Sequence, residues 1–389
     1  MGDNWRPTNL DFISNPQPYY AQLRKNGPVF QAKTGDYVIL GYDACKQVLL
    51  EPSCKSGLQA RKMSKIATQG RQHGLDLSTI DELLSGMLIQ LNEPNHGPIR
   101  AALAKAWPKI AEIKEISEKS IHRALANLPN TFDAVNDLCK QIPITVISHF
   151  LGLDAQVAKE YAQDGLKVVQ ALDPYFTLKD LKDISKSSQR LRKFIQASLT
   201  TSSAGKSRLA ESIREHTSEA ETVSILAFLF IAGFETTSTL LTSCFYQLLT
   251  AKQHNLQVEE STAVPFVREV LRVYSPVQIT GRYTTRELQV GGLKIPENSV
   301  LTICVGAANT DPDHFDQPLS LNLRRTKSYH LSFGYGIHRC LGAQLAEIEA
   351  STFVKCLVKK VDRMKLLEPP KIEKKLAVRS YRSMKVGFK

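Results

Sequence analysis

Paired cysteines are missing from this chain. Its seven cysteines, Cys45, Cys54, Cys139, Cys244, Cys304, Cys340 and Cys356, are odd in number and scattered, with no Cys-x-x-Cys spacing. That pattern excludes a disulfide framework and a clustered zinc site and leaves reduced thiols. Long apolar runs are missing too. The longest, around residues 225–232, falls far short of a membrane span. The opening MGDNWRPTNLDF has neither the apolar core of a signal peptide nor an arginine-rich amphipathic pattern, and Arg6 stands where a myristoylation signal wants serine or threonine. A cytoplasmic chain with no membrane association is the expectation. Aromatics make up only 7%, and no basic run interleaves them as a single-strand nucleic-acid binder needs. Nucleic acid is therefore not an expected partner.

What is present is an ordinary globular composition, 42% hydrophobic and 23% charged, over 389 residues. No linker divides it, so one domain, residues 1–389, is expected, with β-rich parts at about 27–60 and 277–305 and helical parts at about 94–275 and 340–360. The net charge of +12 comes from basic residues that read as spread along the chain. An acidic protein partner accounts for it as well as general surface charge does.

Taken in order, residues 18–26 read as a short helix with Pro18 in its first turn, followed by two strands around a Thr34-Gly35-Asp36 turn. Residues 51–90 read as a polar, irregular cover that turns apolar at 83–89. His96 and Arg100 fall four apart on one helix face, and residues 107–200 are helical by periodicity, with Gly152 near one helix end and a break at Asp173-Pro174. Gly205-Lys206-Ser207 looks like the end of a phosphate loop, but Thr200 occupies the position that loop needs as glycine. Residues 221–250 fit one helix of about 45 Å, apolar on most faces, with Glu235 and Thr236 in its middle. An acid and a hydroxyl there are costly unless they serve something. Glu269 and Arg272 face one another at i and i+3. An extended, alternating stretch follows, with turns at Gly291-Gly292 and at residues 296–298. Residues 378–389 read as a last hairpin whose tip reaches toward a pocket.

The chain is organised around residues 331–350, LSFGYGIHRCLGAQLAEIEA. Glycines permit a sharp turn and close approach to a flat ligand. Cys340 follows them just ahead of an apolar helix, where the dipole and free N–H groups favour a thiolate. Phe333 and Leu341 are expected to screen the sulfur, and His338 and Arg339 to add donors or charge. A single sheltered thiolate of this type suggests an axial iron ligand.

Phe333, Gly334, Gly336, His338, Cys340 and Gly342 together resemble the haem-binding signature of the cytochrome P450 family. Ala232, Gly233, Glu235, Thr236 and Thr237 resemble its oxygen-activating segment. Glu269 and Arg272 match its Glu-x-x-Arg pair, and Asn309, Asp311, Pro312 and Phe315 match its meander. The resemblance implies a mainly α fold with small β-sheets (α+β), prism-like, built on a long central helix. It implies haem b with Cys340 as the metal ligand, and cofactor contacts from Ala232, Gly233, Phe333, Gly334 and Gly342. His96, Arg100, Arg282 and His338 would meet the propionates. Glu235 would relay protons and Thr236 hold a distal water, while Glu269 and Arg272 form a structural ion pair. The segment between Phe315 and Leu331 departs from the family's usual length, which leaves the meander partner of Arg272 open.

The activity implied is that of a haem-thiolate monooxygenase hydroxylating or otherwise oxidising a small to medium organic molecule with dioxygen. Phenol coupling, O-demethylation or desaturation shares every motif, and a non-catalytic haem sensor is the reading from another class. The expected partners are a ferredoxin or flavodoxin with its reductase, on separate chains, and the protein is expected to be a monomer in specialised metabolism or catabolism. By position, the substrate pocket draws on Leu83, Met87, Val168, Tyr175, Phe176, Phe228, Ile231, Ala232, Val277, Gln278, Ile279, Thr280 and Met384.

Overall fold

The computed structural model describes residues 5–6, 9–72, 74–173, 177–201, 207–254, 256–326 and 329–389. The first helices are α1 (Leu10–Ser14), α2 (Pro16–Leu23), α3 (Tyr42–Leu50), α4 (Leu58–Gln72), α5 (Ser78–Gly86) and α6 (His96–Ala106). Then come α7 (Ile110–Ala126), α8 (Gln141–Leu151), α9 (Ala155–Val169), α10 (Leu178–Thr201) and α11 (Arg208–Ile213). The last are α12 (Glu219–Thr250), α13 (Ala263–Val273), α14 (Val305–Ala308) and α15 (Ala343–Val358). The strands are short: β1 (Val29–Gln31), β2 (Tyr37–Ile39), β3 (Cys54–Lys55), β4 (Thr131–Asp133), β5 (Thr280–Thr284) and β6 (Leu288–Val290). They continue as β7 (Leu293–Ile295), β8 (Val300–Ile303), β9 (Met364–Leu366), β10 (Lys371–Ile372), β11 (Tyr381–Ser383) and β12 (Lys385–Phe388). The fold is mainly α with small sheets, as expected.

The chain divides into two compact units. The first comprises Met1–Lys55, Ile110–Ile142 and Thr236–Lys389. Its main sheet has the order β1-β2-β8-β5-β3, with β2 and β8 parallel and the other pairs antiparallel. Gly35, at φ +90°, makes the turn between β1 and β2. One face of the sheet buries Val29, Ile39, Leu301 and Ile303 with Phe315 and Leu331, so the apolar alternation of the strands seats the segment leading to Cys340. Helices α7 and α13 pack on α15, and Phe245 stacks between Phe132 and Phe353. Asn298 takes φ 61° in the turn after β7, a conformation asparagine tolerates.

The second unit comprises Ser56–Lys109 and Pro143–Glu235. Residues 51–90, read as an irregular cover, contain α4 and α5. The apolar stripe of α4 is only Ala60, Met63 and Ala67, so its many charges hid its period. Helix α10 packs along α9 and against α5. Tyr161 stacks on Phe194 at 4.4 Å, and Arg190 bonds Asp164 at 2.9 Å. Gly152 takes φ +68° just past the end of α8, a left-handed helix stop. Tyr175 and Phe176, and the Gly205-Lys206 decoy, lie outside the described residues.

Helix α12 is long and apolar enough to cross a membrane by length and composition. However, 78% of that stretch is buried inside the protein, the condition of a core helix. The last residues are not a hairpin. Strand β11 pairs with β10, whereas β12 pairs with β4 and β9, because the chain kinks at Met384. There the Met384 N–H donates to Asp133 at 3.1 Å and its carbonyl accepts from the Ala134 N–H at 2.8 Å.

Candidate active site

The loop before α15 is built by backbone bonds. Leu331 N–H donates to Asn309 Oδ1 at 2.6 Å, Gly334 N–H to Leu331 O at 2.8 Å, and Cys340 N–H to Phe333 O at 2.7 Å. Gly334 and Gly336 sit at φ +68° and +70°. A Cβ at Gly336 would lie 2.5 Å from the Leu49 carbonyl oxygen, so only glycine lets the loop pass α3. His338 ends a short 3₁₀ turn, and Gly342 is the N-cap of α15. Cys45, Cys54, Cys139, Cys244 and Cys304 are buried and Cys356 is half-buried, but Cys340 is exposed. Burial pushes the Cys54 and Cys139 thiols up to about 12, which keeps them protonated and inert. The sulfur was expected to be sheltered by Phe333 and Leu341. Both are half-buried.

Arg282 lies on β5, 5% exposed. Its guanidinium donates to the Gly281 carbonyl at 2.8 Å and to Thr280 Oγ1 at 3.4 Å. Among the described residues no carboxylate pairs with it, and burial pushes it down to about 10. At neutral pH it remains a buried cation, which calls for an anion.

The Glu269–Arg272 pair is close to ideal. Arg272 Nε and Nη2 meet the two Glu269 oxygens at 2.8 Å each. Its remaining donors go to the carbonyls of Asn309, Pro318 and Ser320. The open question of the third partner is answered by Arg325, whose Nε bonds Glu269 at 3.2 Å, and the Phe315 ring lies 5.0 Å from the Arg272 guanidinium. Burial alone would raise the Glu269 carboxyl. Arg272, the Asn322 N–H and Arg325 outweigh it and hold it below the usual carboxylate range.

In the second unit His96 begins α6 and is 1% exposed, with Glu93 3.6 Å away and Arg100 one turn on. Burial, then Arg100, lower the imidazole's pKa, so it is neutral at pH 7. Between residues 222 and 245 of α12 the buried surround is interrupted at Phe228, Ala232, Gly233 and Thr236. Phe228, Ala232 and Thr236 repeat every four residues and so form one open stripe. Glu235 beside them is 2% exposed. At Gly233, given a cofactor contact by the resemblance, a Cβ would meet Ile147 Cγ1 at 2.6 Å, so this glycine admits α8.

The pocket residues divide. Leu83, Met87 and Val168 are buried in the second unit. Ile231 lies where a Cβ on Gly165 would touch it at 3.1 Å, so it packs on α9 rather than along the stripe. Gln278 is spent in the core: its Nε2 donates to the Ser275 carbonyl and its Oε1 accepts from the Tyr20 hydroxyl at 3.0 Å. Ile279 joins the core cluster of Phe12, Tyr20 and Leu40. Met384 is fully buried at the kink described above, and Val277 and Thr280 are partly exposed. Sequence reasoning missed Arg325 and also His330, whose ring lies 5.6 Å from Phe333 and whose pKa burial pushes down to about 4.

A family model described as Cytochrome P450 matches residues 117–384. The chain belongs to the cytochrome P450 family. It is 28% identical over 375 residues to the cytochrome P450 monooxygenase PikC of Streptomyces venezuelae, covering 90% of this chain and 85% of that one. It is 26% identical over 384 residues to the polyketide biosynthesis cytochrome P450 PksS of Bacillus subtilis, covering 94% and 93%. Among solved structures, P450BioI in complex with hexadec-9Z-enoic acid ligated acyl carrier protein superposes with a TM-score of 0.87 at 21% identity, covering 97% of this chain and all of that one. The protein is thus a P450 haem-thiolate monooxygenase, an oxidoreductase that uses haem b, dioxygen, an organic substrate and a redox partner. The residues present fit the cofactor. The one exposed cysteine ends a glycine loop at a helix start, and the same unit holds a buried arginine with which, among the described residues, no carboxylate pairs.

Proposed function

We propose that this P450 oxidises a lipophilic acyl or polyketide-type chain, with Cys340 as the thiolate that would hold the haem iron and Glu235–Thr236 as the proton-delivery pair. Bound haem supplies dioxygen activation, which the thiolate's electron donation favours. The chain's own residues position and feed it. Arg282 and Arg100 neutralise the propionates, to which His96 and His338 add hydrogen bonds, and among the described residues no carboxylate competes for Arg282. One oxygen atom enters the substrate and the other leaves as water, so protons must reach the site. Glu235 places a carboxyl group inside the helix, and the Thr236 hydroxyl lies on the open stripe beside it.

The observation that carries this reading is that stripe. An apolar Phe228 and Ala232 end in a hydroxyl with an acid beside it, on a helix that from residue 222 to 245 is otherwise buried apart from Gly233. A haem sensor has no use for that pair. The apolar lining, and the names of PksS and of the acyl-carrier complex of P450BioI, support an acyl or polyketide substrate. Electrons come from a ferredoxin or flavodoxin, and the protein works as a cytoplasmic monomer. The test is the electron balance of Thr236→Ala. It should retain haem and long-chain ligand binding while electrons are diverted to peroxide. Full coupling in that variant, or selective binding of small polar ligands by the wild type, contradicts the reading.

A further inference from the structure

The positive charge is not spread evenly, as it first reads. Helix α4 carries Arg61, Lys62, Lys65 and Arg71 and no carboxylate. Helix α10 carries Lys179, Lys182, Lys186, Arg190, Arg192 and Lys193 against Asp180 and Asp183. Ten basic against two acidic residues place +8 of the chain's +12 on these two helices, 15 and 24 residues long. Both pack on α5 within the second unit.

Much of this charge is uncompensated. Arg190 and Arg192 are paired to Asp164 and Glu82. Asp180 is engaged at the helix start by the N–H and hydroxyl of Thr177. Lys179, Lys182, Lys186 and Lys193 are all exposed, and among the described residues none is in an ion pair. Their spacing of three, four and seven residues keeps them on one side of α10, a ridge about 21 Å long at 1.5 Å per residue. On α10 itself Asp183 is the one exposed carboxylate. A row of unpaired lysines raises the local potential and draws in an acidic partner.

The identity of that partner follows from what lies beneath. Helix α5 buries Leu83 and α9 buries Val168, two of the residues proposed to face substrate. A partner on this ridge therefore sits over the substrate-facing helices of its own unit. A membrane-seated helix would offer large apolar side chains on the same face. Of the large apolar side chains on α10, only Leu178, at its first residue, is strongly exposed. Resting on the acyl-substrate reading above, we propose that the α10 lysine ridge, with α4 beside α5, docks an acidic carrier protein that delivers the substrate as a thioester.

The test uses the full, haem-loaded chain and three probes: an acidic acyl carrier protein bearing only its phosphopantetheine, free hexadecanoate, and phosphatidylglycerol vesicles. Carrier affinity should fall steeply with salt and drop at least about tenfold in Lys179→Glu/Lys182→Glu/Lys186→Glu/Lys193→Glu. The charge-matched variant Lys25→Glu/Lys33→Glu/Lys360→Glu/Lys365→Glu should keep wild-type affinity. Hexadecanoate binding, and the rate of haem reduction by a ferredoxin, should be unchanged in the ridge variant. Equal carrier affinity in wild type and ridge variant overturns the proposal. So does a ridge variant that loses reduction rate or vesicle binding but not carrier binding. Because the carrier probe bears no acyl group, docking is read independently of substrate class, whereas failure of wild type to bind hexadecanoate counts against the acyl reading alone.

Discussion

Three buried charged groups in the first unit are handled differently, and the contrast separates scaffold from site. Glu269, Arg272 and Arg325 satisfy one another, with spare donors taken by carbonyls of the meander. Glu349, on α15 at 1% exposure, has no hydrogen-bond partner at Oε1, and burial pushes it up to about 8. Arg282 is also buried, but among the described residues no carboxylate pairs with it, and burial pushes its pKa down to about 10. A lone buried acid escapes its cost by keeping its proton. A lone arginine does not, because it stays charged at any physiological pH. The paired group therefore reads as framework, the lone acid as self-sufficient, and the lone arginine as a group that awaits an anionic ligand.

The largest effect should come from breaking the framework. Arg272→Ala strips a buried acid of its principal partner, a loss of about 3–5 kcal/mol, comparable to much of a domain's stability. Urea unfolding of the haem-loaded protein should show a collapse of the midpoint, and an unchanged midpoint would place the triad among dispensable contacts. The depressed Glu269 carboxyl adds a sign. Its stabilisation is present above the ordinary carboxylate range and is lost as pH falls through the lower folded value.

Arg282→Leu should do the reverse. The unfolding midpoint of the haem-free protein should hold or rise, since a costly buried charge is gone. Haem affinity should fall roughly tenfold to a hundredfold, the worth of one charge-assisted hydrogen bond of about 1.5–3 kcal/mol. A fall in stability with haem affinity intact would make Arg282 part of the framework instead.

Glu349→Gln should have the smallest effect. Between about pH 4.5 and 8 the unfolded chain ionises this group while the folded one does not, so wild-type stability declines as pH rises. The slope is at most about 1.4 kcal/mol per pH unit. The glutamine variant should lack that share of the slope in denaturant titrations across this range, and identical slopes would show that Glu349 finds a partner for its charged form.

Much of this was legible in the sequence because the elements that matter have strong local signals. The glycine loop to Cys340, the length of α12 and the Glu269–Arg272 spacing are read from residue order alone. What was not legible depends on contacts distant in sequence. Arg325 reaches Glu269 across a segment with no regular period. Gln278 and Ile279 look like pocket residues on an alternating strand, but Tyr20 and the N-terminal cluster claim them. Gly233 carries the family's pattern, yet its neighbour is Ile147. Helix α4 was hidden because three small or flexible apolar residues are all it buries.

The central claim is that the Cys340 sulfur holds the haem iron. The most direct measurement is the absorption spectrum of the reduced carbon monoxide complex in wild type and Cys340→Ser. The wild type should give the thiolate-type band and the variant should lose it. The same band in Cys340→Ser, or its absence from haem-loaded wild type, would contradict the assignment.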